Sequence, residues 1–116
     1  YLREVLALLD AGLDVRGLAH ITGGGVVDNL PRILPADVSA RLTRGAWQEP
    51  PIFALIQREA QVSDAEMFHV FNMGLGMLVI MPQTDAEHAS GLLPELRRVG
   101  TITQGAREVV IEGATA

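Results

Sequence analysis

The chain has 116 residues, of which 48% are hydrophobic and 20% are charged, and its formal net charge is −5 at pH 7. This composition is typical of one globular domain, and the acidic balance argues against nucleic-acid binding through a basic face. All nine basic residues are arginines and cysteine is absent. These two facts exclude a lysine nucleophile, a P-loop lysine, disulfides and thiolate metal sites in this chain.

The three histidines do not have the spacing of a metal site, so no metal ligands are predicted. No apolar run approaches the length of a membrane span, and no signal-peptide pattern is present. A cytoplasmic location is therefore the expectation.

Hydrophobic periodicity and turn-forming residues predict helices and strands along the whole chain. In chain order they are a helix over 2–9, a strand over 16–21, a short helix over 26–30, a strand over 37–43, helices over 52–60 and 64–71, a strand over 77–81, a long helix over 84–99 and strands over 100–104 and 107–112. The last two strands are predicted to form a hairpin around Gly105 and Ala106. These patterns predict a single domain over residues 1–116 with an α+β (mixed α/β) fold, in which four to five helices cover a mixed sheet of about five strands.

Local signals predict several of the boundaries. Gly12 is expected to cap the first helix, because glycine readily adopts the left-handed conformation that ends helices. Ser63 and Glu66 have the spacing of a capping box, in which a side-chain oxygen and a glutamate satisfy free amide groups. Pro94 is expected to interrupt the long helix, because proline removes a backbone donor.

Thr22, Gly23, Gly24 and Gly25 form the most informative motif, at a junction between a predicted strand and a predicted helix. Glycine lets a ligand approach the backbone closely, and amide groups at a helix N-terminus favour an anion. The motif therefore predicts a phosphate site made of amides and the threonine hydroxyl. From the glycines alone, a tight turn that serves only packing is an equally good interpretation.

Residues on either side of this motif are further candidates. Asn29 and Arg32 lie within two helical turns and could contact an anion or a heterocycle. Asp28 would either cap helix amides or repel phosphate. His20 directly precedes the motif and is the candidate proton-transfer group, although a strand histidine bonded to neighbouring backbone is the alternative.

A second glycine segment runs from Asn72 through Gly74 to Gly76. It precedes a predicted strand, whereas a dinucleotide-binding fingerprint follows a strand and opens a helix. Glycines at such a position indicate close backbone approach, either to a ligand or to another segment. Glu66 and His69 share a helix face, but the cap interpretation of Glu66 is simpler than a metal or acid–base pair.

The order of these motifs resembles aminoimidazole ribonucleotide synthetase, the phosphoribosylformylglycinamidine cyclo-ligase family of purine biosynthesis. The resemblance is carried by the stretches His20–Gly25, Asn29–Arg32, Trp47, Pro50–Phe53, Glu66–Met67 and Phe71–Gly76, and it covers nearly the whole chain. It departs at His69, where many relatives have arginine, and at Met73, where many have cysteine. Met73 argues against thiol chemistry at that position.

The resemblance implies that this chain is the C-terminal domain of an enzyme whose N-terminal domain carries most of the ATP and Mg²⁺ binding. It implies ATP-dependent ring closure of formylglycinamidine ribonucleotide, by a full-length enzyme that is a homodimer. Thr22 and Gly23, Gly24 and Gly25 would hold a phosphate, with support from Asn29 and Arg32. His20, Asn72, Gly74 and Gly76 would line the same cleft.

Two other interpretations of the sequence stay open. The chain could be a non-catalytic phosphate- or nucleotide-binding module or a related synthetase domain, or it could be a dimerisation domain whose glycine motif binds nothing. The ligase interpretation expects the isolated chain to be inactive, because the active site would be shared with the N-terminal domain.

Overall fold

The computed structural model describes residues 2–113 and has helices and strands throughout. Tyr1 and residues 114–116 of the predicted domain lie outside the described residues. The elements are α1 (Leu2–Asp10), β1 (Gly17–His20), α2 (Gly25–Asn29), a 3₁₀ turn (Leu30–Ile33), β2 (Val38–Thr43), α3 (Pro51–Ala60), α4 (Asp64–Val70), β3 (Met77–Ile80), α5 (Gln83–Leu92), β4 (Gly100–Gln104) and β5 (Val109–Glu112).

The α+β class, with five strands and five helices among the described residues, is confirmed. The five strands are divided between two sheets rather than joined in one. In the first sheet, β1 pairs antiparallel with β3, with Ala19 opposite Leu78. In the second sheet, β2 is central: β4 pairs with it antiparallel and β5 pairs with it parallel.

The predicted hairpin between the last two strands is wrong, because β2 lies between β4 and β5. The connection between them crosses the start of β2, where the Gly105 amide donates to the Asp37 carbonyl (3.0 Å) and the Arg107 amide donates to the Val38 carbonyl (2.8 Å). The buried Ser39 Oγ accepts from the amides of Ala106 and Glu108, both at 3.1 Å. These bonds fix the connection between β4 and β5 across the start of β2, so the two strands lie on opposite sides of β2 and do not form a hairpin.

The predicted boundary signals are confirmed. Gly12 has φ +77° and its amide donates to the Leu9 carbonyl at the end of α1. The Ser63 Oγ accepts from the Glu66 amide at 3.1 Å, so Ser63 caps α4. Helix α5 ends at Leu92, before Pro94, and does not resume, so the predicted helix as far as residue 99 is wrong over 93–99. None of the helices within residues 2–113 combines the length and apolar character needed to cross a membrane.

The main core lies between the two sheets and helices α2 and α4. Its fully buried side chains include Val26, Leu30, Met67 and Met73. Trp47 packs edge-on against Phe68 with 6.3 Å between ring centroids, and its Nε1 donates to the Met73 carbonyl (2.9 Å). A smaller core of Leu8, Leu13 and Ala89 joins α1 to α5.

Candidate functional site

Residues 22–25, here called the glycine turn, connect β1 to α2. Gly24 has φ +98° and Gly25 has φ +67°, a region that side chains with a Cβ rarely adopt. Nothing lies within 4 Å of the position that a Cβ would take at Gly23. The three glycines therefore have different roles. Gly24 and Gly25 are needed for their positive φ angles, whereas Gly23 borders open space.

Gly25 is a packing glycine. A Cβ on this residue would overlap the carbonyl oxygen of Phe68 and lie 2.8 Å from that of Phe71. The Gly25 amide already donates to the Thr22 carbonyl at 3.0 Å. Gly25 thus lets the turn fit against the C-terminal end of α4 rather than offering its own amide to a ligand.

Asn29 braces the turn from within the fold. Its Oδ1 accepts from the Thr22 amide at 2.6 Å, and its Nδ2 lies 3.5 Å from the Gly23 carbonyl oxygen. Asn29 is only 6% exposed, so its side chain does not reach solvent on the open side of the turn. The structure places it as a support for the loop.

The open side of the turn presents unused donors. Within residues 2–113, no acceptor is hydrogen-bonded to the amides of Gly23 and Gly24. Thr22 and Gly23 are exposed. The Thr22 hydroxyl lies 3.4 Å from the Asn29 Oδ1, a long contact that leaves it able to turn toward a ligand. Two amides and one hydroxyl are the donor set that a phosphate oxygen needs.

A carboxylate lies beside these donors. A Cβ on Gly24 would be 2.6 Å from the Asp28 Oδ2, so the Asp28 side chain touches the turn. The same oxygen accepts from the Arg32 Nη2 at 2.8 Å, and both side chains are largely exposed. Arg32 therefore compensates the negative charge closest to the turn, and an exposed pair of this kind is weak enough to rearrange.

The turn forms one wall of an open pocket of about 310 Å³, here called the Thr22 pocket. The rings of Phe53 and Phe71 lie 5.6 Å apart on the opposite wall. One side of the pocket is therefore polar and the other apolar. Its lining residues are Thr22, Gly23, Phe53, Val70, Phe71 and Asn72.

Asn72 is the candidate from the second glycine segment that the structure brings to the turn. Its Oδ1 accepts from the Gly74 amide at 2.9 Å. Its Nδ2 donates to none of the residues from 2 to 113 and so remains available.

Gly74 and Gly76 do not line the Thr22 pocket. Gly74 has φ +96°, and a Cβ there would be 2.8 Å from the Pro50 Cδ, so the close approach is to another segment of the chain. The Gly76 carbonyl accepts from the Ile21 amide at 2.9 Å. Both glycines position the segment that carries Asn72.

His20 ends β1, pairs with Met77 in the sheet register and is exposed. It lies beside the glycine turn in sequence but is not among the residues that line the Thr22 pocket.

Sequence reasoning missed two features of this region. Phe53 and Phe71 belong to stretches that carry the family resemblance, but nothing in the spacing of Phe53, Val70 and Phe71 indicates a shared pocket wall. The other feature, here called the Arg44 cluster, consists of Arg44, Glu49, Asp64 and Phe68, which lie behind that wall.

The charged groups of the Arg44 cluster stabilise one another. The hydrogen bond from Arg44 to Glu49 raises the pKa of the guanidinium, against the opposing effect of burial. The hydrogen bond from Gln57 lowers the pKa of the Asp64 carboxyl, and the bond from Arg44 lowers it further. Both groups are thereby held in their charged forms.

Between residues 2 and 113, no three His, Cys, Asp or Glu side chains come together as a metal site would require. The Glu66 amide donates to the Ser63 Oγ, which is the serine half of the predicted capping box.

Comparison with known proteins agrees with the resemblance of the motifs. The relatives include three proteins named phosphoribosylformylglycinamidine cyclo-ligase. That of Paraburkholderia phymatum is 46% identical over 108 residues, covering 90% of this chain and 30% of the relative. That of Bacillus cereus is 42% identical over 120 aligned residues, which cover 100% of this chain and 34% of the relative. That of Methylobacillus flagellatus is 41% identical over 113 residues, which cover 93% of this chain and 32% of the relative.

The chain spans about a third of the length of these curated relatives. The profile of one family, described as "AIR synthase related protein, C-terminal domain", matches residues 1–113, which is nearly the entire chain. The chain therefore belongs to the AIR synthase related protein, C-terminal domain family.

Proposed function

We propose that this chain supplies the phosphate-binding part of the active site of an ATP-dependent cyclo-ligase that closes formylglycinamidine ribonucleotide to aminoimidazole ribonucleotide. The observation that carries the proposal is the donor set of the glycine turn: Thr22 and Gly23 line an open pocket, and the amides of Gly23 and Gly24 have no acceptor within residues 2–113. The name of the relatives supplies the reaction, and the turn supplies a place for the phosphate of its substrate.

In this proposal the chain binds and orients the ribonucleotide. Thr22, Gly23 and Gly24 hold the phosphate, while Gly25 and Asn29 hold the turn in shape. A ring closure of this kind depends on bringing the reacting nitrogen and carbon together, so positioning is the main contribution expected of the protein. Arg32 would add a positive charge once the phosphate competes for it with Asp28.

The remaining candidates keep more distant roles. Asn72 would donate from its Nδ2 to the substrate across the pocket. Gly74 and Gly76 would act by positioning Asn72. His20 is proposed as the proton-transfer group because it is exposed and only two residues from Thr22, and imidazole exchanges protons near neutral pH.

The rest of the reaction is assigned to other parts of the protein. No group of three metal-ligating side chains comes together within residues 2–113. We therefore propose that ATP and Mg²⁺ bind mainly to an N-terminal domain, where ATP would activate the formyl oxygen. The complete enzyme would be a cytoplasmic homodimer, and residues 1–116 would form its C-terminal domain.

Calorimetric titration of the protein with formylglycinamidine ribonucleotide and with ribose 5-phosphate tests this proposal. Thr22→Val removes the hydroxyl but keeps a branched side chain of similar shape. A lost hydrogen bond to a charged group costs about 1.5–3 kcal/mol, so binding of both ligands should weaken roughly tenfold or more. The matched control is Thr43→Val, an exposed position at the end of β2 that does not line the Thr22 pocket, and it should bind as the wild type does.

Two results would contradict the proposal. If neither ligand binds, the glycine turn is a packing motif. If Thr22→Val and Thr43→Val lose the same affinity, the phosphate is held elsewhere. Binding without ring closure when both ATP and the N-terminal domain are present would instead support the non-catalytic module.

A further inference from the structure

We propose that Arg44 is a positioning residue for the Thr22 pocket, a role that rests on the proposed function of that pocket. Arg44 does not line the pocket. It fixes α4, and α4 in turn carries one pocket wall and supports the glycine turn.

The guanidinium of Arg44 makes contacts on all of its edges and on its face. Its Nε and Nη2 donate to the two carboxylate oxygens of Glu49, at 2.8 and 3.0 Å. Its Nη1 lies 3.1 Å from the Asp64 Oδ1. Its Cζ lies 5.1 Å from the centre of the Phe68 ring. Only arginine has the planar fork that makes this combination of bidentate and stacked contacts.

The arginine itself is firmly held. Its side chain is 15% exposed, and its amide donates to the Glu112 carbonyl at the end of β5 (2.6 Å). Gly113 packs against the Arg44 carbonyl, where a Cβ would be 2.9 Å away. The backbone of Arg44 is thus bound to the three-stranded sheet, and its guanidinium reaches Asp64 in the first turn of α4.

Helix α4 transmits this anchoring to the pocket. Asp64 is its first residue, and Phe68 lies one turn further along the same helix. The Phe68 carbonyl oxygen is the atom against which Gly25 packs. Val70, Phe71 and Asn72 then line the pocket opposite the glycine turn. A shift of α4 therefore moves both walls of the pocket at once.

Loss of the guanidinium would produce such a shift. Glu49 and Asp64 both point at Arg44, and their side chains are only 21% and 32% exposed. Without the positive charge between them, two partly buried carboxylates repel each other. Gln57 Nε2 still donates to the Asp64 Oδ1 at 2.8 Å, but its amide carries no charge to compensate them. The repulsion would separate α4 from the segment that carries Glu49.

The test compares Arg44→Met and Arg44→Lys with a matched control, Arg16→Met. Arg16 also pairs with a carboxylate, Asp14, but both side chains are more than half exposed. Two quantities are measured well below the unfolding temperature of every variant: the amide resonances of Gly25 and Asn72 without ligand, and the affinity for ribose 5-phosphate.

We expect Arg44→Met to shift both resonances and to weaken ribose 5-phosphate binding roughly tenfold or more, because small displacements at a binding site are costly. Arg44→Lys keeps the charge without the fork and should restore part of the affinity. Arg16→Met should change neither quantity. A merely structural role for Arg44 predicts a lower unfolding temperature with unchanged resonances and unchanged affinity in the folded protein.

A second variant covers the case in which Arg44→Met does not fold. Combining it with Glu49→Gln and Asp64→Asn removes the stranded charges and their repulsion, so this variant should fold. Smaller shifts of both resonances are expected, because the bonds from the guanidinium to residues 49 and 64 that hold α4 in place are still missing. Unshifted resonances in a folded variant would overturn the proposal. If the wild type does not bind ribose 5-phosphate, the proposed function fails, while the amide resonances still decide whether Arg44 positions the turn.

Discussion

The carbonyl oxygen of Phe68 lies where a β-carbon on residue 25 would project. This contact joins the two halves of the candidate site, because Gly25 belongs to the glycine turn and Phe68 to the helix that carries the opposite wall. It also shows that the three glycines do not share one role. One glycine serves packing, and the two before it keep their amides available.

Gly25→Ala should be strongly destabilising. The new methyl group would overlap the Phe68 carbonyl, and alanine would be held at φ +67°. The left-handed conformation alone costs about 1–2 kcal/mol, and the overlap adds to it. Urea denaturation followed by circular dichroism should therefore show a loss of at least about 2 kcal/mol, or no folded protein.

Gly23→Ala is the matched control for this prediction. Nothing lies within 4 Å of its added methyl group, so the free energy of unfolding should change by less than about 1 kcal/mol. Equal destabilisation by the two substitutions would contradict the packing role assigned to Gly25.

Asn29→Ala should also lower stability. It removes a buried side chain and leaves the part-buried Thr22 amide without its acceptor at 2.6 Å, and a donor left unsatisfied away from water costs about 1–3 kcal/mol. Asn72→Ala is the comparison, because the bond from the Gly74 amide to Asn72 is exposed and water can replace it. Denaturation curves that show the larger loss at position 72 would contradict the bracing role of Asn29.

The Asp64 carboxyl makes stability depend on pH in a defined direction. Hydrogen bonds from Gln57 and Arg44 lower its pKa in the folded protein, whereas an unfolded aspartate has a pKa of about 3.9. Its contribution is therefore complete above about pH 4 and is lost as the pH falls through the lower folded value. Asp64→Asn should be less stable than the wild type at pH 7, and the difference should shrink below about pH 4.

Urea denaturation of both proteins from pH 7 to pH 2.5 measures this difference. The control is Asp14→Asn, which removes a largely exposed partner of Arg16 and should change stability little at any pH. A stability difference for Asp64→Asn that widens as the pH falls would show that the sign is wrong.

Ser39→Ala should weaken the connection that crosses the start of β2. The Ser39 Oγ accepts from the amides of Ala106 and Glu108, and its loss leaves both without this acceptor. We expect a loss of about 1–3 kcal/mol in denaturation. Ser90→Ala, which removes an exposed helix hydroxyl bonded to the Ala86 carbonyl, should change stability by less than about 0.5 kcal/mol.

Hydrogen exchange provides a second measurement for Ser39→Ala. The amides of Ala106 and Glu108 should exchange faster in this variant and at the wild-type rate in Ser90→Ala. Unchanged exchange at both amides would contradict the role given to Ser39.

The sequence predicted what depends on near neighbours in the chain. Gly12, the Ser63 cap and Pro94 act within one or two helical turns, and the corresponding boundaries are confirmed. The glycine turn was also visible, because a strand–glycine–helix junction is a local pattern. What the individual glycines do was not visible, since the role of Gly25 depends on a carbonyl in another helix.

Strand pairing and the Arg44 cluster could not be predicted in this way. β4 and β5 are separated by a short connection, which is the usual sign of a hairpin, and only the contacts of Ser39 show why they lie apart. Arg44 lies 20 positions before Asp64 in the numbering, and no periodicity connects an arginine in a loop to a helix N-terminus. Both features arise from tertiary packing.

The central position of β2 has a consequence for how the protein is made. Both of its neighbours come from the C-terminal part of the chain, and Ser39 bonds to an amide 67 positions later. A ribosome therefore releases β2 long before either neighbour exists, and its two edges stay open during that time. Such edges favour pairing with other chains. Slower elongation between the codons for residues 44 and 100 should therefore increase aggregation during synthesis. In the folded domain both edges of β2 are paired, so β2 is no longer open to other chains.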